Sequence, residues 1–192
     1  MSSTNIAANL ATNESASTAQ NTTRPSSLDH IPVLLKEMEK ENRTTREMLS
    51  RIPDTIYDWQ PHPKSMTVKQ LANHLAELPA WAAMVLHTSG LDFAASPYEP
   101  THAVTTQDVL ALYDKSYHQG HEALQSATED ILSDTWTLSN GDITLAEDTK
   151  LATLRMCFCQ IVHHRAQLGV YLRLNNIPLP PSYGPSADQS TL

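Results

Sequence analysis

The chain has 192 residues, and its 13 lysines and arginines against 21 aspartates and glutamates give a formal net charge of −8. This length suffices for one sizeable core and predicts a single domain. No basic run forms a track for phosphates, so we expect no nucleic-acid binding. The longest apolar runs fall far short of the roughly 20 residues that a membrane helix needs, so we expect no membrane insertion either.

The first 27 residues are nearly all serine, threonine, asparagine, alanine and glutamine. Such a segment has too little apolar surface to bury, so we predict a disordered tail over residues 1–27 and one folded domain over residues 28–192. A secretory signal would need a basic start followed by an apolar run, and neither is present. The cytoplasm is therefore the expected location.

The apolar residues of the domain recur with a period of 3.6 residues, not 2, which predicts an all-α fold. The first predicted helix runs from Asp29 to Ile52. Three prolines in residues 53–65 then break the pattern. The second predicted helix opens near Thr67, which is a candidate N-cap, and ends at Gly90.

The third predicted helix opens at the sequence TTQD with a threonine cap and continues to about Thr128. Gly120 lies inside it, where glycine costs about 1 kcal/mol relative to alanine. That cost indicates either close packing against a neighbour or simple tolerance of a glycine.

The sequence of residues 129–142 indicates a short helical turn followed by an Asn-Gly turn. The fourth predicted helix begins at about Leu145 or Thr149 and ends at Leu174. Four amphipathic helices of this length predict a four-helix bundle.

The segment after the fourth helix, NNIPLPPSYGPSADQ, contains four prolines that forbid further helix. Its apolar residues Ile177, Leu179 and Tyr183 favour an extended strap packed over the bundle, with a disordered end as the alternative. Gly184 is expected to allow a tight turn in this strap.

The two cysteines, Cys157 and Cys159, are two residues apart in the fourth helix. Side chains at that spacing point to different sides of a helix, so a disulfide or a shared metal between them is not expected. Free thiols in a reducing compartment are the better interpretation.

His74 is the first candidate site residue among nine histidines. It follows Leu71 by three residues and precedes Leu78 by four, so it belongs to the inward face of the second helix. A histidine there is either a hydrogen-bonded core residue or a metal ligand, and a ligand would need partners from another helix.

The fourth helix offers such partners. His164 lies on the flank of its apolar face with Gln160 one turn before it, whereas His163 falls on the far side with Cys159. Residues at i and i+4 are close enough to touch one ion, and His74 from a facing helix would complete a metal site. His118 and His121 on the third helix form a competing pair.

Three separated motifs carry a family resemblance: WQPHPKSMTVKQLANHLAELPAW, VHHRAQLGVYLR and PLPPSYGPSADQ. In this order they resemble the DinB-like bundle superfamily over residues 29–189. The resemblance implies a four-helix fold, frequent homodimers and a divalent metal, zinc or nickel. The metal ligands of the family fall on His74 and His164, and Gln160 stands where the family has a third histidine. An amide is a poorer donor to these metals than imidazole, so weaker binding is expected.

The resemblance also implies an activity. Related proteins are thiol-dependent transferases or isomerases that use low-molecular-weight thiols, or metal-dependent hydrolases. The expected function is therefore metal-assisted activation of a thiol or water for attack on a small electrophilic substrate, and the alternative is a non-catalytic dimeric bundle with a degenerate site. Glu77 is a candidate base, or else a plain surface carboxylate.

Two further residues of the same motifs invite interpretation. Arg165 follows the ligand position and is expected to pair with Glu77 or Asp188 in a structural role. Tyr171 lies two turns beyond His164 and either lines a pocket or packs at the rim of the core.

Overall fold

A computed structural model describes residues 29–96 and 101–190, and the predicted tail over residues 1–27 lies outside them. The helices are α1 (His30–Ser50), α2 (Val68–Glu77), α3 (Trp81–His87), α4 (Thr106–Ser126) and α5 (Lys150–Leu174). The strands are β1 (Gly90–Asp92), β2 (Thr135–Asn140) and β3 (Ile143–Thr149). Short 3-10 turns cover Asp54–Ile56, Leu78–Ala80 and Glu129–Ser133.

The described residues form the predicted four-helix bundle, in which α2 and α3 together make the second helix. All four helices bury apolar faces in one shared core, to which α1 contributes Leu34, Met38 and Met48, and Ile52 just after α1 is buried as well. No helix of the described part is long and apolar enough to cross a membrane.

Threonines start three of the helices. The side chain of Thr67 accepts the backbone N–H of Gln70, whose side chain in turn accepts the N–H of Thr67, and Thr105 forms the same reciprocal capping box with Asp108. Thr149 caps α5. These contacts satisfy N–H groups that have no partner inside the helix, and they confirm the predicted starts at Thr67 and at TTQD.

The predicted single helix from Thr67 to Gly90 is wrong in one respect. A 3-10 turn over Leu78–Ala80 separates α2 from α3 because Pro79 has no backbone N–H to continue the ladder. The carbonyl of Pro79 then faces Gly120 of α4 so closely that a Cβ on Gly120 would stand 2.1 Å from its oxygen. Gly120 is therefore required by close packing.

A small sheet is the main addition to the all-α prediction. The strand order is β1-β2-β3, with β1 parallel to β2 and β2 antiparallel to β3. The predicted Asn-Gly turn joins β2 to β3, and Gly141 adopts a φ of 60° there. Trp136 of β2 is buried and donates its indole N–H to Thr88 Oγ1 at 3.1 Å, which fixes the hairpin to the end of α3.

The strap prediction is confirmed for the described residues after α5. Ile177 and Leu179 pack against the core, and Asp188 accepts bonds from the Arg173 guanidinium at 2.5 Å and from the Leu179 backbone N–H at 2.9 Å. Gly184 has no positive φ and open space around it, so its freedom is not what turns the strap.

Arg165 does not pair with Glu77 or Asp188. It is buried, and its guanidinium donates to Glu41 Oε2 at 2.5 Å and to Thr45 Oγ1 at 3.0 Å. The Tyr183 hydroxyl of the strap donates to the other oxygen of Glu41 at 3.0 Å, so the strap closes over this ion pair. The prediction of a structural role is supported, but its partner is an acid of α1.

Candidate functional site

The structure brings His74 of α2 and His164 of α5 together. Their ring centroids are 4.6 Å apart and their planes lie at 83°, so one ring points its edge at the face of the other. The two residues lie far apart in the sequence, on α2 and on α5. Their contact therefore depends on the packing of α2 against α5, and it brings together two of the three predicted site residues.

Both imidazoles are partly buried, and burial lowers the pKa of each ring because it disfavours the charged form. Glu77 opposes this effect at His74, and the bond to Gln167 opposes it at His164. The neighbouring rings of His74 and His163 lower the pKa of His164 further. Neutral imidazoles with an available lone pair are the form that binds a metal ion.

Gln167 fixes the orientation of His164. Its Oε1 lies 3.1 Å from His164 Nδ1, and its Nε2 lies 3.0 Å from His163 Nε2. An amide oxygen only accepts, so Nδ1 of His164 carries the proton and the lone pair of the neutral ring is on Nε2. Gln167 was not among the residues predicted from the sequence, although its i, i+3 spacing from His164 was a usable signal.

Gln160 lies one turn before His164 on α5 and is partly buried. Within residues 29–96 and 101–190, no group of three or more histidine, cysteine, aspartate or glutamate side chains is arranged to hold a metal ion. A third protein ligand beside the two histidines would therefore have to be a different type of side chain, and the predicted amide of Gln160 is of such a type. Its role as a ligand stays a prediction.

His74 also lines a pocket of about 830 Å³. The other described lining residues come from the loop before α2, from the first two turns of α2 and from the segment before α4: Gln60, Pro63, Lys64, Ser65, Met66, Thr67, Lys69, Gln70, Asn73, Thr101, His102 and Val104. A cavity of this size suits a small organic molecule.

Two side chains of α2 hold one wall of this pocket in place. Asn73 is buried, and its amide donates to the carbonyl of Ala103 and accepts the N–H of Ala103, both at 3.0 Å. Glu77 Oε1 accepts the N–H of Thr101 at 3.0 Å. Glu77 therefore holds the pocket wall at Thr101 as well as lying near His74. The spacing of residues in the sequence did not indicate the contact with Thr101.

The other predicted candidates lie elsewhere. His118 and His121 each contact the ring of Tyr117, at centroid distances of 5.7 and 5.4 Å, on the side of α4 that meets Glu39. His163 is exposed, as predicted.

The two cysteines differ in exposure, and the aromatic residue Tyr171 lies at the rim of the core. Cys157 is buried and Cys159 exposed, both as free thiols, and burial raises the pKa of Cys157 to about 12. Tyr171 packs edge-on against Trp59 at 5.5 Å and is buried, which supports packing at the rim of the core.

The fold and the paired histidines define a class of helical bundles with a polar site between the second and the last helix. The model of the DinB family matches residues 19–191, so the chain belongs to the DinB family. A curated relative, the uncharacterized protein YrdA of Bacillus subtilis (strain 168), is 27% identical over 164 residues, which cover 84% of this chain and 91% of YrdA.

Solved structures share the fold. The DinB-like protein YjoA of Bacillus subtilis is 21% identical with a TM-score of 0.63, and the match covers 83% of this chain and 99% of YjoA. A DinB-like protein of Bacillus cereus ATCC 10987 is 18% identical with a TM-score of 0.59, covering 79% and 96% of the two chains. At these identities the likeness shows a common fold and leaves the chemistry to the residues of the site.

Proposed function

We propose that this protein is a metal-dependent enzyme that activates a thiol or water for attack on a small electrophilic substrate. His74, Gln160 and His164 would hold the divalent metal ion, zinc or nickel. The observation that carries the proposal is the 4.6 Å approach of two partly buried imidazoles from different helices, one of which lines an 830 Å³ pocket.

The donor set fits a divalent ion. Two neutral imidazoles are preferred ligands of zinc and nickel, and Gln167 leaves the Nε2 lone pair of His164 available. When bound, such an ion acts as a Lewis acid that makes a nucleophile from a thiol or water near neutral pH. A low-molecular-weight thiol is the proposed co-substrate of the transferase form of this reaction.

Glu77 is proposed as the residue that takes the proton from the nucleophile. One of its oxygens already accepts the N–H of Thr101, so its loss would also loosen the pocket wall. Glu77→Gln separates the two roles because the amide oxygen can keep that bond but does not act as a base. A large fall in kcat with an unchanged KM in Glu77→Gln would support the role of Glu77 as a base. An unchanged kcat would contradict it.

Metal content is the direct test. Protein purified without a histidine tag is expected to bind about one zinc or nickel ion per chain, measured by elemental mass spectrometry and by titration calorimetry after chelator treatment. His164→Ala should lower the affinity by about a hundredfold or more because it removes one of two imidazole donors.

The double variant His118→Ala/His121→Ala is the matched control, since it removes two histidines outside the proposed site. It should bind metal as the wild type does. In a further arm, Gln160→His should raise zinc affinity by about tenfold or more, because imidazole is the better donor. The proposal would be overturned if the wild-type protein is purified without metal and its melting temperature does not change when zinc or nickel is added.

One observation favours a second function. The proposed third ligand, Gln160, is an amide and not an imidazole, which suits a dimeric bundle that has lost efficient catalysis and retains a binding or structural role. We propose a homodimer in either case, checked by the mass in solution from light scattering. Stoichiometric metal in the wild type with no gain in Gln160→His would argue against the degenerate site.

A further inference from the structure

The pocket beside His74 has a charge opposite to that of the whole protein. The chain carries a formal net charge of −8, yet the charged side chains among the described lining residues are two lysines, with no aspartate or glutamate. A cleft lined by one sign of charge raises the local concentration of ligands of the opposite sign.

The two lysines are available to a ligand. Within the described part of the chain, the Lys64 ammonium has no hydrogen-bond or ion-pair partner, and its residue is exposed. Lys69 has one partner, Asp58, at 3.5 Å, and the side chain of Asp58 is 93% exposed. Such a surface pair is worth little, so a ligand can replace Asp58 at low cost.

Apolar surface lies in the same pocket. Met66 and Val104 are 41% and 59% exposed and both line it, one from the loop before α2 and one from the anchored wall. Exposed apolar side chains that share a concave site mark a place where the apolar part of a ligand is buried.

We propose that this pocket takes a small organic anion, whose charged group lies at Lys64 and Lys69 and whose apolar part contacts Met66 and Val104. This inference rests on the proposed function, because it treats the pocket beside His74 as the substrate site. It adds the class of substrate, and it makes the two lysines the residues that determine specificity.

A matched pair of probes tests it. 4-Phenylbutyrate and its neutral amide, 4-phenylbutanamide, have the same apolar body and differ in one charge. Both are titrated into the full-length, chelator-treated protein, so that the carboxylate cannot bind through a metal ion. The anion is expected to bind at least about tenfold more tightly than the amide, and added salt should weaken the binding of the anion alone.

Lys64→Ala/Lys69→Ala should remove this preference and leave the amide's affinity unchanged. The control Lys36→Ala/Lys40→Ala removes the same charge from α1, away from the pocket, and should keep the preference. Circular dichroism checks that each variant folds. Equal binding of the two probes by the wild type, or a preference that survives in Lys64→Ala/Lys69→Ala, overturns the inference.

The same titrations in His164→Ala separate this inference from the proposed function. An anion preference that persists in a variant without metal supports the lysine site even where the metal proposal fails. Metal binding by the wild type without any anion preference refutes the lysine site and leaves the metal proposal intact.

Discussion

At the scale of single residues, the ion pair between Arg165 and Glu41 ties the site to the rest of the bundle. Arg165 follows the proposed ligand His164 directly, and its side chain is 2% exposed against 7% for Glu41. Charges removed from water in this way are stable only while each has its partner. The position of this turn of α5 therefore depends on an acid of α1.

Glu41→Ala is expected to lower the free energy of unfolding by about 3–5 kcal/mol, because it leaves the Arg165 charge buried without its counter-charge. Urea denaturation followed by circular dichroism measures the change. Asp114→Ala is the control: it removes the partner of Arg46 from an exposed pair between α1 and α4, and should cost no more than about 1 kcal/mol. Equal losses in the two variants would contradict the role of burial.

The sequence predicted part of this arrangement. Helical spacing alone placed His74 and His164 on inward faces, and the structure joins them. It did not identify Glu41 as the partner of Arg165, because the choice among acids depends on how α1 lies against α5. Helix geometry determines the neighbour at i, i+4, whereas the contact between Arg165 and Glu41, 124 residues apart, depends on how the helices pack.

At the scale of elements, the contact between Gly120 and Pro79 sets how closely α4 approaches the second helix. The approach needs both the glycine, which has no Cβ, and the proline, whose 3-10 turn presents a carbonyl toward α4. Neither the glycine within α4 nor the proline of the 3-10 turn indicates this contact by itself.

Gly120→Ala should destabilise the protein by about 1–3 kcal/mol although alanine is the better helix former, because the new methyl would collide with the Pro79 carbonyl. Gly169→Ala on α5 is a matched control, for which the expected change in stability has the opposite sign. A Cβ there would meet only Met48 Cε at 3.7 Å, so a gain of up to about 1 kcal/mol is expected. Thermal melting of both variants gives the comparison, and a stabilised Gly120→Ala would contradict the close contact.

The elements that the sequence missed have physical reasons. All seven residues of β3 are exposed, so this strand shows no alternation of buried and exposed positions, which is the usual sign of a strand. Pro79 interrupts a pattern whose apolar spacing continues on both sides, so the two parts were predicted as one helix. The long, strongly periodic helices and their threonine caps were predictable, because their signals are local.

At the scale of the whole molecule, the strap contacts α1 and α5 through polar side chains: Tyr183 bonds to Glu41, and Asp188 bonds to Arg173. The Arg173 guanidinium, and then the Leu179 N–H, hold the pKa of Asp188 below its usual range. A carboxyl with a lowered pKa in the folded state stabilises it above the pKa of the unfolded state, and the effect is lost as pH falls through the folded value. We therefore expect the strap to loosen in acid, below about pH 4.

The protection of the Leu179 amide against hydrogen exchange measures this loosening, after correction for the intrinsic rate at each pH. Asp188→Asn should show the loosened state already at neutral pH, since the neutral amide is a weaker partner for Arg173. The Asn73-bonded amide of Ala103 serves as an internal reference that should not change. Equal protection of Leu179 in both proteins at neutral pH would show that the charge is not what holds the strap.

Asn73 holds the backbone of Ala103 through two hydrogen bonds from one side chain. Its amide offers Ala103 one donor and one acceptor side by side, which is the pattern that a neighbouring strand offers through its backbone in an antiparallel ladder. A single side chain thus takes the place of a neighbouring strand at Ala103. The backbone of Ala103 is therefore held from α2 by the residue next to His74, while Glu77 of the same helix holds Thr101.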